Sequence, residues 1–223
     1  MGARDGAQAL RAAQCPRRGR GDRTRESNHR GRVNPAARVF VSAGSNIDPR
    51  ANLETACRAL KRHYGEIELS PLYQSPAEGF SGPDFLNLVA GFETEESPGE
   101  IRKRLAELEA RAGRDRTGGK FSSRTLDLDL LLYDDRVDAS LKLPHPDIER
   151  YAFVLKPLAD LAPDLRHPVS GATIAELWRS FSGPRHLRLC SPPLAWSVGD
   201  RDVAAEPHGG VHAPPGKGWR AKP

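Results

Sequence analysis

Between its two ends the chain alternates stretches with the apolar period of strands and stretches with the apolar period of helices. Residues 38–43 form a β-branched and aromatic run that stops at Gly44-Ser45-Asn46, which predicts a strand entering a turn. A helix to about Tyr64 follows, because Asp48-Pro49 is a typical helix start and the apolar residues after it recur three or four positions apart. The region thus opens with a strand and a helix.

The same two periods continue to about residue 181. They predict, in order, two strands, a helix, a strand and two short helices at 67–73, 85–92, 97–113, 126–133, 152–161 and 174–181. The helix at 97–113 begins with the Ser and Glu of a capping box, Ser97 and Glu100. The order strand, helix, strand, strand, helix, strand is that of a ferredoxin-like α+β sandwich with a mainly antiparallel sheet.

Neither end of the chain shows such a period. Residues 1–36 are rich in Arg, Gly and Ala, and residues 183–223 are rich in Pro and Gly, so both are predicted to be disordered. We therefore expect one folded domain at 37–182 between two tails.

Charge is distributed unevenly along the 223 residues. The net charge is +5, but residues 1–36 carry +6 and residues 183–223 carry +3, which leaves −4 for residues 37–182. An acidic core argues against a nucleic-acid-binding protein, the first competing hypothesis. For the basic N-terminal segment two interpretations stay open, a passive extension or an arm that contacts RNA or anionic lipid.

Other functional classes are disfavoured by composition. No run of about 18 apolar residues exists and the N-terminus lacks the apolar core of a secretory signal, so neither a membrane span nor export is predicted. Cys15, Cys57 and Cys190 have no paired spacing, which speaks against a disulfide framework or a zinc site. A cytoplasmic monomer is the default expectation.

Two carboxylates lie two residues apart on the predicted strand at 126–133. Side chains at this spacing share a face, so Asp127 and Asp129 project together while Leu126, Leu128 and Leu130 enter the core. Neighbouring carboxylates repel unless cations accompany them, and Mg²⁺ typically takes one or two carboxylates plus phosphates and waters. The alternative is a solvent-exposed face with ordinary salt bridges.

Cations are concentrated just upstream of these aspartates, on a Gly- and Ser-rich segment that holds Arg114, Arg116, Lys120 and Arg124. Guanidinium groups bind phosphate oxygens in bidentate fashion, so the segment predicts a clamp for a triphosphate. A solvated charged loop is the alternative interpretation.

Two further features are candidates for binding. His145, held between prolines, is suited to contact a phosphate or ribose, although a turn residue without function fits equally. Phe85 and Asn87 share a strand face and would offer an aromatic surface and an amide to a flat heterocycle; the alternative is a core Phe beside a turn-capping Asn.

Four separated motifs together resemble the signature of the 6-hydroxymethyl-7,8-dihydropterin pyrophosphokinases. They are Gly44-Ser45-Asn46, Asp84-Phe85-Leu86-Asn87, Ser123-Arg124-Thr125-Leu126-Asp127-Leu128-Asp129 and Leu143-Pro144-His145-Pro146. The resemblance covers about 38–181 and implies an enzyme of folate biosynthesis. Such an enzyme moves pyrophosphate from ATP to the pterin alcohol and releases AMP.

The resemblance also implies roles for individual residues. Asp127 and Asp129 would hold two Mg²⁺ ions, and Arg114 and Arg124 would stabilise charge on the transferred group. The implied ATP-binding residues are Glu109, Arg116, Leu130, His145, Arg150 and Tyr151. The implied pterin-binding residues are Ser75, Ala77, Phe85, Asn87, Phe121 and Phe153.

Departures from the family pattern fall in the substrate sites. Tyr151 stands where many members have an Arg that contacts ATP, with Arg150 as a possible substitute, and Phe121 stands where the family usually has a Trp. A catalytically silent relative that only binds ATP or pterin is therefore the second competing hypothesis. Intact Asp127, Asp129 and Arg124 argue against it, because a silent protein has no need to keep like charges together.

Overall fold

A computed structural model of the protein describes residues 36–113 and 125–191 together with Leu194. In chain order the described elements are β1 (Ala37–Ser45), α1 (Pro49–Tyr64), β2 (Ile67–Leu69), β3 (Tyr73–Ser75), β4 (Phe85–Thr94), α2 (Pro98–Arg111), β5 (Asp127–Tyr133), a 3-10 turn (Ala139–Leu141), α3 (Asp147–Arg150), α4 (Ala152–Leu161), α5 (Ile174–Ser180) and β6 (Arg188–Leu189). Within these ranges no helix has the length and apolar character needed to cross a bilayer.

A single antiparallel sheet organises these elements. The strands follow the order β5-β1-β4-β3-β6, and β2 pairs with β4 beside β3. All the pairings of the named strands are antiparallel. The predicted class, α+β with a mainly antiparallel sheet, is confirmed at this level.

The predicted strand at 67–73 is in fact two short strands. Leu69 lies opposite Ala90, and Tyr73 lies opposite Asn87. Between these two pairs the chain advances by four residues, whereas β4 advances by three. Pro71, in the gap, has no N–H for the ladder, and the Val89 N–H on β4 donates to the Ser70 hydroxyl at 2.9 Å. The extra residue is a bulge that separates β2 from β3.

Helices cover both faces of the sheet. One face carries Val41, Leu88 and Leu128 against α1 and α2, as expected for the predicted ferredoxin-like sandwich, a two-layer fold with helices on one face of its sheet. The other face carries Phe40, Val89 and Leu131 against α3, α4 and α5. The two-layer description is incomplete, because the central strands are apolar on both faces for part of their length and the second face therefore needs its own helices.

The helix starts differ in how they are capped. The predicted capping box of α2 is present, with the Ser97 side chain and the Glu100 carboxylate each bonded to the other residue's N–H. Asp48 is the N-cap residue of α1, as predicted. Its backbone is left-handed (φ 41°), however, and its side chain makes no capping hydrogen bond.

The C-terminal tail was predicted to begin too early. Beyond residue 182, Arg188 and Leu189 form β6 beside β3, and the Cys190 N–H donates to Leu72 O at 2.8 Å. Leu194 is 4% exposed within the apolar core on the α1 and α2 face. Two paired residues have no detectable period in the sequence, so this edge strand forms because β3 offers unpaired backbone groups.

Candidate active site

The two aspartates of β5 occupy the face that the alternation predicts. Leu126, Leu128 and Leu130 are 2%, 5% and 5% exposed in the core beside α1 and α2. Asp127 and Asp129 lie between them in sequence, are only partly buried and project to the other face. Two residues along a strand advance about 7 Å, so the carboxylates flank a space that suits bridging cations.

A cavity of about 370 Å³ lies over these carboxylates, between the sheet and the α3 and α4 segment. Nine of the predicted site residues line it: Ser75, Phe85, Asn87, Asp127, Asp129, His145, Arg150, Tyr151 and Phe153. They come from β3, β4, β5, α3, the turn before α3 and the start of α4. Candidates predicted from separate motifs therefore meet in one place.

The middle of the cavity floor is a glycine between two polar side chains. Gly44 pairs with Asn87 on one side and with Asp127 on the other. The Asn87 side chain is 6% exposed, and its amide donates to the Ser75 hydroxyl at 3.0 Å. A Cβ atom at Gly44 would lie 3.0 Å from the Asn87 side-chain oxygen, so glycine leaves this amide in place.

Four aromatic rings form the apolar part of the wall. Phe80 and Phe85 meet edge to face, with ring centroids 6.3 Å apart and an interplanar angle of 90°. Tyr151 and Phe153 are stacked, with centroids 5.0 Å apart at 16°. Such walls favour flat heterocyclic ligands, while Asn87 and Ser75 supply polar groups for their edges.

The turn that carries His145 is tied to the sheet. The His145 N–H donates to Leu131 O at 2.8 Å, which holds the turn beside β5. The ring lies 4.0 Å from an oxygen of Asp129 and 3.8 Å from an oxygen of Asp147. The His145 ring therefore lies where it can contact an anionic ligand that binds over the aspartates.

Charges of both signs line the cavity. The carboxylates are Glu78, Asp127, Asp129 and Asp147, and the described cations are Lys142 and Arg150. In the described part of the chain no three His, Cys, Asp or Glu side chains come close enough to hold a metal without further ligands. Two carboxylates alone fit Mg²⁺, which keeps water and substrate phosphate oxygens in its remaining positions.

Several predicted residues lie elsewhere. Ala77 sits on the loop between Pro76 and Glu78, both of which line the cavity. Leu130 is buried in the core on the opposite face, and the Glu109 carboxylate, 4% exposed, accepts the Leu128 N–H at 2.9 Å. Arg114, Arg116, Lys120, Phe121 and Arg124 lie outside the described residues.

The cavity also includes residues that the sequence did not single out. Ser42 was detectable, because it is two residues from Gly44 and shares its strand face. Phe80, Glu78, Lys142 and Asp147 come from loops or a short helix, where no period indicates direction. Their placement depends on how these segments fold back over the sheet.

The arrangement supplies the groups that are needed to transfer a phosphoryl group from a phosphate donor to a heterocyclic alcohol. Paired carboxylates, an imidazole and cations lie beside an aromatic wall with a buried amide, in a space large enough for a ligand.

Known proteins match this chain over the region that forms the site. Residues 40–163 match the family 7,8-dihydro-6-hydroxymethylpterin-pyrophosphokinase (HPPK). A 2-amino-4-hydroxy-6-hydroxymethyldihydropteridine pyrophosphokinase of Pseudomonas aeruginosa is 40% identical over 146 residues, which is 63% of this chain and 89% of that protein. A protein of the same name from Synechocystis sp. is 42% identical over 144 residues, 62% of this chain and 73% of that protein.

A solved structure is similar in fold. Wild-type HPPK-DHPS of Plasmodium falciparum has a TM-score of 0.52 at 14% identity, over 67% of this chain and 45% of that longer chain. The family match covers more than half of the chain and includes the strands and helices around the cavity. The chain belongs to the 7,8-dihydro-6-hydroxymethylpterin-pyrophosphokinase family.

Proposed function

We propose that this protein transfers the pyrophosphoryl group of ATP to the hydroxymethyl oxygen of 6-hydroxymethyl-7,8-dihydropterin. The products are AMP and the pterin diphosphate. The observation that carries the proposal is one cavity in which Asp127 and Asp129 lie beside an aromatic wall and a buried amide. Membership of the family supports the same reaction.

The pterin is proposed to bind on the aromatic side of the cavity. Its flat ring would lie between Phe85 and Phe153, with its polar edge on the Asn87 side chain and the backbone near Ser75 and Ala77. The bond from Asn87 to Ser75 supports this assignment, because it fixes one amide orientation before the ligand arrives. Phe121 is proposed to close over the pterin.

ATP is proposed to bind on the polar side. His145, Arg150 and Tyr151 line that part of the cavity. The full proposed set is Glu109, Arg116, Leu130, His145, Arg150 and Tyr151, with Arg114 and Arg124 on the transferred group.

Asp127 and Asp129 are proposed to hold two Mg²⁺ ions together with the phosphates of ATP. When bound, the ions neutralise phosphate charge and orient the triphosphate. Their place on a firmly held strand supports this role: β5 lies at the edge of the sheet, but its backbone is fixed on one side by β1 and at Leu128 by Glu109.

The reaction proceeds by direct displacement. The hydroxymethyl oxygen forms a bond to the β-phosphorus, the bond from that phosphorus to the oxygen of the α-phosphate breaks, and AMP leaves with that electron pair. The hydroxymethyl proton is released, and Asp127 is proposed to lie near it. Phosphoryl transfer of this kind depends on positioning and charge stabilisation and needs no covalent intermediate.

The division of the chain into a domain and two extensions is also a proposal. Residues 37–182 would be the catalytic domain, with 1–36 and 183–223 as extensions, of which 188–189 add the edge strand β6 to the sheet. If β2 and β3 count as one bulged strand, the sheet order supports a ferredoxin-like core. We also propose a cytoplasmic monomer, for which light scattering and cell fractionation are the tests.

The experiment measures AMP formation from ATP and Mg²⁺ with and without 6-hydroxymethyl-7,8-dihydropterin. The wild type is compared with Asp129→Asn, which keeps the side-chain shape and removes the charge. Asp135→Asn is the control, because Asp135 is exposed in the turn after β5 and does not line the cavity. We expect pterin-dependent AMP release that falls by about 10²- to 10³-fold only in the Asp129 variant.

Each other outcome has a definite meaning. ATP binding without AMP release in the wild type would favour the silent relative. AMP release at the same rate with and without the pterin would indicate a different acceptor. Equal loss in both variants would remove the assignment of Asp129 to the metal site.

A further inference from the structure

The ring of Tyr151 stacks on the ring of Phe153 at the cavity wall. The centroids are 5.0 Å apart and the planes differ by 16°. Both rings line the cavity and are partly buried against the core formed with α4 and α5. The stacked pair therefore has one side packed on the protein and one side directed at the cavity.

This contact is unusual for residues two positions apart near a helix. Within an α-helix, residues i and i+2 do not face each other. Tyr151 can contact Phe153 because it precedes α4 and has an extended backbone, φ −125° and ψ 126°. Phe153 belongs to the first turn of the helix. The change from extended to helical backbone between them brings one ring onto the other.

The backbone of Tyr151 is fixed at both of its polar groups. Its N–H donates to Asp147 O at 3.1 Å, and its carbonyl accepts from Val154 and Leu155 at 3.1 and 3.0 Å. These bonds join α3 to α4 at this residue. The Tyr151 ring is thus carried by a helix junction, not by a free loop, and it limits the orientations open to Phe153.

We propose that Tyr151 is a positioning residue for the flat heterocycle of the acceptor, acting through the ring of Phe153. It holds this ring in the orientation in which its face is presented to the pterin. The inference rests on the proposed function, and it goes beyond the assignment of Tyr151 to ATP. The ring, and not the hydroxyl, is the part that acts.

The proposal makes distinct predictions for two substitutions. Tyr151→Phe keeps the stacked ring, and Tyr151→Leu fills similar space without a flat face. Aromatic pairs contribute beyond simple burial by an amount that corresponds to about 2- to 10-fold in a dissociation constant. We expect the pterin Kd to rise by about this factor in Tyr151→Leu and to stay within about twofold of the wild type in Tyr151→Phe.

The experiment is calorimetric titration with the pterin in the presence of Mg²⁺ and a saturating non-hydrolysable ATP analogue. The Kd of the analogue is measured separately for each protein. Because Tyr151 is also proposed to contact ATP, the analogue Kd is the reference for the pterin effect: in Tyr151→Leu the pterin Kd should rise by a larger factor than the analogue Kd. Arg150→Gln is the matched control, because Arg150 is adjacent, lines the same cavity and is proposed to contact ATP. This variant should raise the Kd of the analogue and leave the Kd of the pterin unchanged.

The outcomes separate this inference from the proposed function. If the wild type binds no pterin, both are overturned. If the wild type binds pterin and Tyr151→Leu binds it equally well, or loses affinity for the analogue alone, only the role of Tyr151 is overturned. Should the leucine variant fail to fold, Tyr151→Phe still decides, because weaker pterin binding in that variant would contradict a role of the ring.

Discussion

Gly44 lies where β1 runs between the two chemical halves of the site. Its neighbour on β4 is Asn87, proposed for the pterin, and its neighbour on β5 is Asp127, proposed for the metal. A strand glycine normally weakens a sheet, since it adds backbone entropy to the unfolded chain and packs no side chain. Here the missing Cβ gives the Asn87 amide its space.

Gly44→Ala should therefore damage pterin binding more than it damages the fold. The new methyl group would stand 3.0 Å from the Asn87 side-chain oxygen, so this side chain must shift by a few tenths of an ångström and its bond to Ser75 is strained. Full loss of such a hydrogen bond corresponds to about 1 kcal/mol, so we expect the pterin Kd to rise by up to about 5-fold. Titration of the wild type and the variant measures it.

Gly99→Ala is the control for this substitution. Gly99 lies in the first turn of α2, where a Cβ atom would meet nothing closer than the Ser97 hydroxyl at 4.0 Å. Alanine there should leave pterin binding unchanged and raise the unfolding free energy by at most about 1 kcal/mol. An unchanged pterin Kd in Gly44→Ala would show that Asn87 adapts, and would weaken its proposed role.

Single residues were predictable where the strand period fixes their direction. Asp127 and Asp129 alternate with buried leucines, and the alternation alone gives the face on which they lie. The stacking of Tyr151 on Phe153 was not predictable, although the helix at 152–161 was, because the contact depends on the extended backbone of Tyr151 just before the helix. A pattern of apolar residues gives neither the backbone angles of a residue outside a helix nor the direction of its side chain.

At the level of elements, β5 is the strand whose outer edge needs protection. It is the end of the sheet in the described order, so every second N–H of β5 points away from β1. Glu109, in the last turn of α2, accepts the N–H of Leu128, the residue between the two aspartates. The helix thereby fixes the strand segment that carries the proposed metal ligands.

Glu109→Ala should lower stability and activity together. The substitution leaves the buried Leu128 N–H without this acceptor, which is expected to lower the unfolding free energy by about 1–3 kcal/mol. Urea unfolding measures the stability, and pterin-dependent AMP release measures the activity. Glu107→Ala, on the exposed side of the same helix, should change neither by much.

The comparison also separates two roles for Glu109. Lost activity with unchanged stability would mean that this carboxylate acts on ATP alone, as the family resemblance suggests. Lost stability with a proportionate loss of activity would mean that it acts through β5.

Elements were predicted well where they are long and periodic. The helices α1 and α2 and the strands β4 and β5 lie within a few residues of the predicted ranges. The break between β2 and β3 and the two residues of β6 were not predicted, since a bulge and a short edge strand leave no period in the sequence.

For the molecule as a whole, the second layer of helices decides where the site lies. The helices α3, α4 and α5 cover the part of the sheet face that carries Phe40, Val89 and Leu131. They leave open the part that carries Asp127 and Asp129, and the cavity forms at this margin. The sequence predicted the helices at 152–161 and 174–181, but not the sheet face they cover, because apolar runs do not say which neighbour they meet.

The connection between α4 and α5 contains a buried histidine that ties this layer together. His167 is 4% exposed, and its Nδ1 accepts the Ser170 N–H at 3.4 Å, a bond that requires the nitrogen to be unprotonated. The surrounding turn is closed by Gly171 N–H to His167 O and His167 N–H to Ala172 O, both at 2.9 Å. Protonation would therefore disturb the turn from which α5 starts.

Stability of the whole protein should fall with acid because of this residue. Burial lowers the pKa of His167 below its ordinary value of 6.5, and the charge of Glu149 only partly opposes the shift. Between the lowered pKa and 6.5 the unfolded chain binds a proton that the folded chain does not, so the unfolding free energy rises with pH in this window. The contribution of His167 is fully present above about pH 6.5 and is lost as the pH falls toward the lowered pKa.

Urea unfolding at pH 8, 6.5 and 5.5 tests this prediction for the wild type, His167→Gln and His186→Gln. The glutamine at 167 cannot titrate, so its unfolding free energy should be lower at pH 8 but should decline less between pH 8 and 5.5 than that of the wild type. His186 is exposed, and its variant should keep the wild-type slope. If the wild type and His167→Gln decline in parallel, the acid sensitivity lies in other groups, and the turn between α4 and α5 tolerates a charged imidazole.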